Sequence, residues 1–193
     1  LHPEKEHASL PGSCPIDAGA ALYPLPHRIQ YRAPSGSEPS YGFAGHIPPD
    51  RRTGGHAHGF ASDARKEEEV IALIDHIESN IGHIEVLVFN IGANSPNSIL
   101  TETARRYTKM WEMACLAGFL NGREVAKRMV SRTHNNEQHA NGISQKGTII
   151  FTGATASLRG SANFAGFSGG KMALRGLAQS MARELGPMGI HVA

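Results

Sequence analysis

The stretch "IEVLVFNIGAN", residues 84–94, decides the fold of this chain. Residues 84–90 form a short run rich in apolar and β-branched side chains, which is typical of a strand covered on both faces. Gly92 follows that run almost at once, so the backbone can pass close to a ligand at the end of the strand. A second stretch of this kind, "GTIIFTGATAS", occupies residues 147–157. The two stretches predict two buried strands, each followed by a turn that contains glycine.

Helical patterns separate these strands from each other and from two further strands. Apolar residues at helical spacing predict a helix that Asp63 caps, a long helix that begins at Thr101 or Thr103 and ends near residue 130, and a third helix over residues 163–184. Short strands at 56–62 and from residue 189 onward complete the pattern. Because long crossovers join parallel strands, this order predicts an α/β fold with a doubly wound, Rossmann-like parallel sheet and helices on both faces.

The first 52 residues carry a different pattern. Nine of the eleven prolines precede residue 50, and neither helical nor strand periodicity persists there. We therefore divide the chain into an irregular, proline-rich segment at 1–52, which cannot be read as the start of a nucleotide-binding domain, and a partial Rossmann-type domain at 53–193. A first residue other than methionine and a last strand cut short in "GIHVA" lead us to expect a fragment whose sheet is incomplete at both ends.

The composition argues against several classes of partner. Nineteen basic and 17 acidic residues give a net charge of +2, and no run of like charge marks a surface for nucleic acid or an anionic membrane. No stretch approaches the roughly 18–20 apolar residues that span a bilayer. The two cysteines, Cys14 and Cys115, fit no metal-ligand spacing, so we expect no bound metal and a reduced, cytoplasmic setting.

Candidate site residues follow the predicted strands. In doubly wound sheets, ligands bind outside the carboxyl ends of the strands. The residues at these ends are Asp63 after the first predicted strand, Asn90, Gly92 and Ala93 after the second, and Gly153 after the third. Glycine lets the backbone approach a flat ligand, and an asparagine amide can tie strands together or reach a ribose. This arrangement favours a nucleotide.

Three stretches together resemble the short-chain dehydrogenase/reductase family: "NIGAN", "GTIIFTGATAS" and "FSGGKMALRGLAQSMARELGPMGIHV". The resemblance covers about residues 53–193 and implies a Rossmann fold that binds NAD or NADP. It implies that Asp63 contacts the adenine, with a plain helix cap as the alternative, and that Asn90 and Gly92 match the family's strand-end element. Lys171 matches the lysine that bonds the nicotinamide ribose in the family, and a solvated helix lysine is the alternative.

Three positions depart from the family's catalytic residues. The alignment places Cys115, Ala154 and Phe167 where the family has an asparagine, a serine and a catalytic tyrosine, so that Lys171 alone remains of the four. Reduction of a carbonyl needs a proton on the oxygen, and neither alanine nor phenylalanine supplies one. We therefore expect an atypical branch of the family with lowered or abolished activity. The family's glycine-rich turn is not readable before residue 53, so we also expect impaired cofactor binding.

Other side chains near the site are weaker candidates for the missing chemistry. Thr152, Thr155, Ser157 and Ser168 carry hydroxyls, but an unassisted alcohol has too high a pKa to replace a phenol beside an ammonium. Cys115 lies on an apolar helix with no histidine in helical reach, and such cysteines are usually small core residues.

Two functions of different class follow from these observations. The first is an oxidoreductase, or the remnant of one, that uses NAD or NADP on a small carbonyl or alcohol. The second is a scaffold without catalysis that forms a homo-oligomer through its two long helices, as the resemblance implies for many relatives. A chain that is not a stable product is the third alternative. Several glycines suit close helix approach in the second case: Gly118, Gly122, Gly169, Gly170 and Gly176.

Overall fold

A computed structural model describes residues 19–23, 27–30, 56–132 and 144–193. One sheet contains six strands, which are β1 (Gly19–Tyr23), β2 (His27–Gln30), β3 (His56–His58), β4 (Val86–Asn90), β5 (Gly147–Phe151) and β6 (Ile190–Val192). The α-helices are α1 (Glu67–Asn80), α2 (Ala104–Trp111), α3 (Ala117–Ser131) and α4 (Ala165–Leu185). A π-helical segment, Glu112–Leu116, joins α2 to α3, and short 3₁₀ turns occupy Thr155–Ser157 and Gly186–Met188.

The strand order of the sheet is β3-β2-β1-β4-β5-β6. Strands β4, β5 and β6 are parallel, with Val88 opposite Ile150 and Thr148 opposite His191. A long helix connects each of these strands to the next, as parallel pairing requires. The order is that of the doubly wound sheets that bind dinucleotides. The predicted Rossmann-like α/β architecture is therefore confirmed.

Strand β1 departs from the expected parallel sheet. It pairs antiparallel with β2 and also with β4, where Gly19 lies opposite Asn90 and Tyr23 lies opposite Val86. Only three residues separate β1 from β2, and a connection that short can join antiparallel neighbours only. Because β2 itself is parallel to β3, β1 alone runs against the other strands. Neither β1 nor β2 was predicted from the sequence.

The helices of the described residues lie on one face of the sheet. Leu87, Phe89 and Ile149 are fully buried and share a core with residues of α1, α3 and α4. Ile150 points to the opposite face and is 37% exposed. We expected helices on both faces, and residues 56–132 and 144–193 supply only one helical layer. This placement explains why alternate residues of β4 are half-buried rather than buried.

Helix boundaries follow local capping chemistry. Thr103 caps α2 as predicted, because its Oγ accepts a hydrogen bond of 3.2 Å from the Arg106 amide. The prediction that Asp63 caps α1 is wrong, since Lys66 holds the cap position and the Asp63 carboxylate bonds Arg65 instead. Gly189 begins the turn into β6 with φ of +86°, and a Cβ there would lie 2.1 Å from the Ser144 carbonyl oxygen. Only glycine fits that position.

Charge pairs join α1 to α3 along their length. Three acidic side chains of α1 each pair with an arginine of α3 or of the residue after it: Glu67 with Arg123, Asp75 with Arg128 and Glu78 with Arg132. The last pair is the most enclosed, at 14% and 10% side-chain exposure. The guanidinium of Arg132 also donates to the Ile84 carbonyl at 2.9 Å. This pair therefore fixes the ends of both helices to the start of β4.

Glu78 is held in its charged form by its surroundings. Burial opposes the charge, but hydrogen bonds from the Ile84 amide and the His83 ring, together with the positive charge and hydrogen bond of Arg132, outweigh burial and lower the pKa of the carboxyl. A carboxyl whose pKa is lower in the folded chain stabilises the fold above its unfolded pKa. That contribution is lost as the pH falls through the folded pKa.

We expect Glu78→Gln to reduce the free energy of unfolding at pH 7 by about 1–3 kcal/mol, since it removes charge-assisted hydrogen bonds at an enclosed site. The difference from the unaltered chain should begin to shrink as the pH falls below about 4.3, the ordinary pKa of glutamate, and should vanish only once the folded carboxyl is protonated. Urea denaturation at a series of pH values measures this. Glu68→Gln, at an exposed position of α1, is the matched control and should change little. A difference that stays constant into strong acid would contradict the assignment.

Candidate functional site

The carboxyl ends of β4 and β5 meet helix α4 at Lys171. This side chain is only 4% exposed. Its Nζ donates hydrogen bonds to the main-chain carbonyls of Ile91 at 3.2 Å and Thr152 at 2.6 Å. Because these residues directly follow β4 and β5, the lysine ties both strand ends to the helix. The alternative of a solvated lysine is therefore wrong.

The charge of Lys171 has no anionic partner among the described residues. Each ion pair there involves other side chains. Burial lowers the pKa of the Lys171 amine, because the charged form loses its hydration without gaining a counter-ion. The site therefore holds an amine that loses its proton more readily than an ordinary lysine.

Gly92 and Phe167 form the walls beside this amine. A Cβ at Gly92 would lie 3.1 Å from Lys171 Cε, 3.4 Å from Nζ and 3.6 Å from Cε2 of the Phe167 ring. Glycine is needed here for close approach. Phe167 lies one helical turn before Lys171, where the resemblance places a tyrosine, and its ring offers no exchangeable proton. Ala154, exposed after β5, has no hydroxyl either.

The hydrogen bonds of Lys171 do not involve the four candidate hydroxyls. Ser157 Oγ is used by the Ala154 amide, which donates to it at 3.1 Å. Ser168 Oγ is buried and has no hydrogen-bond partner among the described residues. Both hydrogen bonds of Lys171 Nζ go to main-chain carbonyls rather than to Thr152, Thr155, Ser157 or Ser168 hydroxyls. None of these four hydroxyls is therefore hydrogen-bonded to the amine.

Cys115 lies in the π-helical segment between α2 and α3. It is half-buried, and burial raises the pKa of its thiol. A thiol that resists ionisation is a poor nucleophile, which agrees with the prediction of a small packing residue. The π segment itself was missed, because apolar spacing does not distinguish one extra residue in a helical turn from a regular helix.

Glycines of α4 let it lie close against α2. A Cβ at Gly166 would lie 2.6 Å from Met110 Sδ, and one at Gly169 would lie 2.8 Å from the Tyr107 hydroxyl. A Cβ at Gly170 would lie 3.0 Å from Ala114 Cβ and 3.1 Å from the Met110 carbonyl oxygen. These contacts fix the turn of α4 that carries the candidate site.

The remaining helix glycines were expected to suit contact between helices. Gly118 and Gly122 face Leu174, Phe151 and Met181 within the chain. A Cβ at Gly176 would have no neighbouring atom within 4 Å in the part of the chain that the structure describes. Close approach at four of the five predicted positions therefore serves packing inside one chain.

The other predicted cofactor residues are spread along the strand ends. Asn90 is exposed at the end of β4, Ala93 is 4% exposed, and a Cβ at Gly153 would lie 3.4 Å from Ser157 Oγ. The Asp63 carboxylate accepts hydrogen bonds from Arg65 Nε at 2.9 Å and Nη2 at 2.6 Å, and these bonds lower its pKa. In the sequence, only the spacing Asp-x-Arg could have indicated the ion pair between Asp63 and Arg65.

The end of β1 lies away from the candidate site. A phosphate-binding turn follows the first strand of such sheets at the carboxyl edge. Here β1 ends at Tyr23, opposite Val86, which begins β4. The chain therefore leaves β1 at the amino edge, away from Lys171. The Asp63 carboxylate, expected to contact adenine, is already engaged by Arg65.

Among the described residues, no group of three or more His, Cys, Asp or Glu side chains could hold a metal ion. No helix in the same residues is long and apolar enough to cross a membrane.

Comparison with known proteins assigns the family. The sequence pattern of the short chain dehydrogenases matches residues 49–193. The chain therefore belongs to the short-chain dehydrogenase/reductase family, the class that its strand order and Lys171 indicate.

Relatives and solved structures agree with this assignment. Sorbitol-6-phosphate 2-dehydrogenase of Escherichia coli (strain K12) is 28% identical over 136 residues, which are 70% of this chain and 48% of the relative. A short-chain dehydrogenase from Rhodopseudomonas palustris is similar in structure, with a TM-score of 0.63 and 47% identity over 74% of this chain and 61% of that one.

A gluconate 5-dehydrogenase from Burkholderia cenocepacia J2315, solved with NADP and tartrate, shares the fold at 23% identity and a TM-score of 0.63, over 74% of this chain and 51% of that one. The chain spans about half the length of the curated relatives it matches.

We expect Gly170→Ala to lower the free energy of unfolding although alanine favours helix. The new methyl group meets a Cβ and a main-chain carbonyl, neither of which is the flexible end of a side chain. Overpacking of this kind costs about 1–3 kcal/mol, more than the about 1 kcal/mol gained in helix propensity. Gly176→Ala on the same helix is the matched control and should stabilise the chain. Equal stabilisation by both substitutions in urea denaturation would contradict the packing described.

Proposed function

We propose that this chain is a short-chain oxidoreductase of an atypical branch whose degenerate catalytic site lowers or abolishes hydride transfer to a small carbonyl or from an alcohol. The observation that carries the proposal is the pairing of Lys171 with Phe167. The lysine is buried and donates to the Ile91 and Thr152 carbonyls, and the side chain one turn before it is a phenyl ring. The site keeps the amine and lacks a group that protonates the substrate oxygen.

Weakened binding of NAD or NADP is part of the same proposal. It is supported by the reversed direction of β1 and by the Arg65 side chain on the Asp63 carboxylate. Asn90, Gly92, Ala93, Gly153 and Lys171 would line the nicotinamide end of a bound cofactor, which supplies or accepts hydride when present. Isothermal titration with both nucleotides tests this part. Micromolar or tighter binding would contradict it.

The relatives' names support a broad class of substrate. Two of the similar proteins are named as dehydrogenases of sorbitol-6-phosphate and of gluconate. For this chain we propose only that the substrate is a small carbonyl compound or alcohol. We also place the protein in the cytoplasm, which fractionation of the source cells would test.

We expect Ala154→Ser together with Phe167→Tyr to raise the rate of ketone reduction. The phenol restores an acid beside Lys171, and positioned acids contribute about a hundredfold to ten-thousandfold. Consumption of NADPH over a panel of small ketones, at nucleotide concentrations that saturate the double variant, measures this.

The matched control is Ala154→Ser together with Phe167→Leu, which carries no phenol and should stay at background. Ordinary enzymatic rates in the unaltered chain would overturn the degenerate-site proposal. An inactive Tyr variant with nucleotide bound would overturn the assignment of position 167.

A second candidate function is a scaffold that dimerises through the two long helices. The observation that favours it is a set of exposed apolar side chains on these helices: Tyr107 at 42%, Trp111 at 41%, Phe119 at 38% and Met172 at 40%. Tyr107 and Trp111 lie one turn apart on α2, beside the α4 surface. Large apolar side chains left exposed on a helical layer often mark a contact between proteins.

We expect Trp111→Glu with Phe119→Asp to convert a dimer into a monomer, since each change puts a charge into the proposed contact. Light scattering after size exclusion measures the mass of each species. Leu100→Glu changes an even more exposed apolar side chain, at 91%, outside the helices and should leave the dimer intact. A monomeric unaltered chain at micromolar concentration would overturn the scaffold function.

A further inference from the structure

The segment that follows β4 is tied to α4 at both of its ends. At its inner end, the Ile91 carbonyl accepts a hydrogen bond of 3.2 Å from Lys171 Nζ. At its outer end, the Asn97 amide donates to the Asn163 carbonyl at 2.8 Å. Asn163 precedes α4, and Lys171 lies about two turns into it. The segment therefore runs along the start of this helix, and we call residues 91–97 the strap.

A side chain of α2 holds the middle of the strap. Arg106 Nη2 donates hydrogen bonds to the Ser95 carbonyl at 3.1 Å, to the Ser95 hydroxyl at 2.6 Å and to the Pro96 carbonyl at 3.2 Å. The Glu102 carboxylate accepts from the other terminal nitrogen of Arg106 at 3.2 Å and so holds the guanidinium in place. One arginine therefore fastens two strap residues that belong to neither a strand nor a helix.

The strap packs on the two side chains of the candidate site. A Cβ at Gly92 would lie 3.1 Å from Lys171 Cε and 3.6 Å from the Phe167 ring. Ala93, the next residue, is only 4% exposed. A ligand that contacts the buried amine therefore has to displace the strap first.

The two ends of the strap differ in how strongly they are held. The inner hydrogen bond joins residues that are at most 4% exposed, where water competes little for it. At the outer end, Ser95 and Asn97 are half-buried, and Pro96 and Asn163 are exposed. Asn163 also has φ of +68°, a left-handed conformation that is uncommon outside glycine. Exposed main-chain hydrogen bonds with little apolar packing open most readily, so we expect opening to begin at the outer end.

We propose that the strap is a gate for the candidate site. Its outer end opens while its inner end stays bonded to Lys171, and Arg106 sets how often it opens. An open strap uncovers Gly92 and the Phe167 ring, where a nicotinamide ring or a small carbonyl compound would lie. The nature of that ligand rests on the proposed oxidoreductase function, but the opening of the strap requires no ligand.

Hydrogen exchange of the full 193-residue chain, with no nucleotide or carbonyl compound present, tests the opening. The Asn97 amide reports the outer end of the strap, and the Thr152 amide, which donates to the Phe89 carbonyl at 2.9 Å, reports the sheet edge. We expect Asn97 to exchange about tenfold faster than Thr152 or more, at a rate that low urea leaves unchanged, because local opening exposes little surface. Exchange of Asn97 as slow as that of Thr152, or as fast as in an unfolded peptide, would overturn the gate.

Arg106→Gln and Arg105→Gln form a matched pair on α2. Arg106→Gln removes charged hydrogen bonds from the strap, so exchange at Asn97 should become about tenfold to a hundredfold faster. Arg105 is exposed on the same helix, and Arg105→Gln should leave the exchange of Asn97 unchanged. An Asn97 rate that responds to neither substitution, or equally to both, would contradict the role of Arg106.

A thiol introduced beneath the strap shows whether opening gives access to the site. In a chain with both native cysteines replaced by alanine, Phe167→Cys places a thiol under the strap, and Met172→Cys places one on the exposed surface of α4. We expect Arg106→Gln to speed the reaction of the first thiol with iodoacetamide by the factor measured for Asn97 exchange, and to leave the second unchanged. Equal rates at position 167 with and without Arg106→Gln would overturn the gate.

These measurements separate the gate from the oxidoreductase proposal, since none of them uses a nucleotide. A chain that reduces ketones while its strap stays closed would overturn the gate alone. A chain whose strap opens, but in which Ala154→Ser with Phe167→Tyr restores no reduction, would overturn the oxidoreductase proposal alone.

Discussion

The bonds from Lys171 to the carbonyls after β4 and β5 are the constraint on which the site depends. Two parallel strands end at the same edge, and each leaves a main-chain oxygen without a ladder partner. One long side chain from α4 satisfies both oxygens. The buried amine bonds only these two carbonyls among the described residues. Its position therefore fixes the distance between the helix and the two strand ends. Gly92 and Phe167 lie beside this amine.

Packing between helices supports this arrangement from the other side. Gly166, Gly169 and Gly170 bring α4 against α2 closely enough that a methyl group would collide at each. The turn that carries Phe167 and Lys171 is therefore held between a helix surface and the sheet edge.

Much of the fold could be predicted from the sequence, because its strongest signals are local. The apolar runs of β4 and β5, the cap at Thr103 and the spacing of α4 depend on near neighbours along the chain. The direction of β1 depends on strand pairing across the sheet, which leaves no period in the sequence. Asp63 is a different case: its carboxylate was expected at a helix cap and is instead bonded to Arg65, although the two residues are close in the sequence. At the site, the sequence predicted that Phe167 and Lys171 lie one turn apart on a helix, but it could not predict that Lys171 would be buried without a carboxylate.

The reversed strand shows a general property of β-sheets. The edge of β4 offers alternating donors and acceptors, and a neighbour can satisfy them from either direction. Gly19–Tyr23 thus occupies the central place in the strand order while its chain exits toward the opposite rim. Hydrogen bonding can hold a strand beside β4 in either direction, and the direction of the chain decides at which rim that strand ends. The sheet therefore keeps its strand order while β1 ends at the rim away from Lys171.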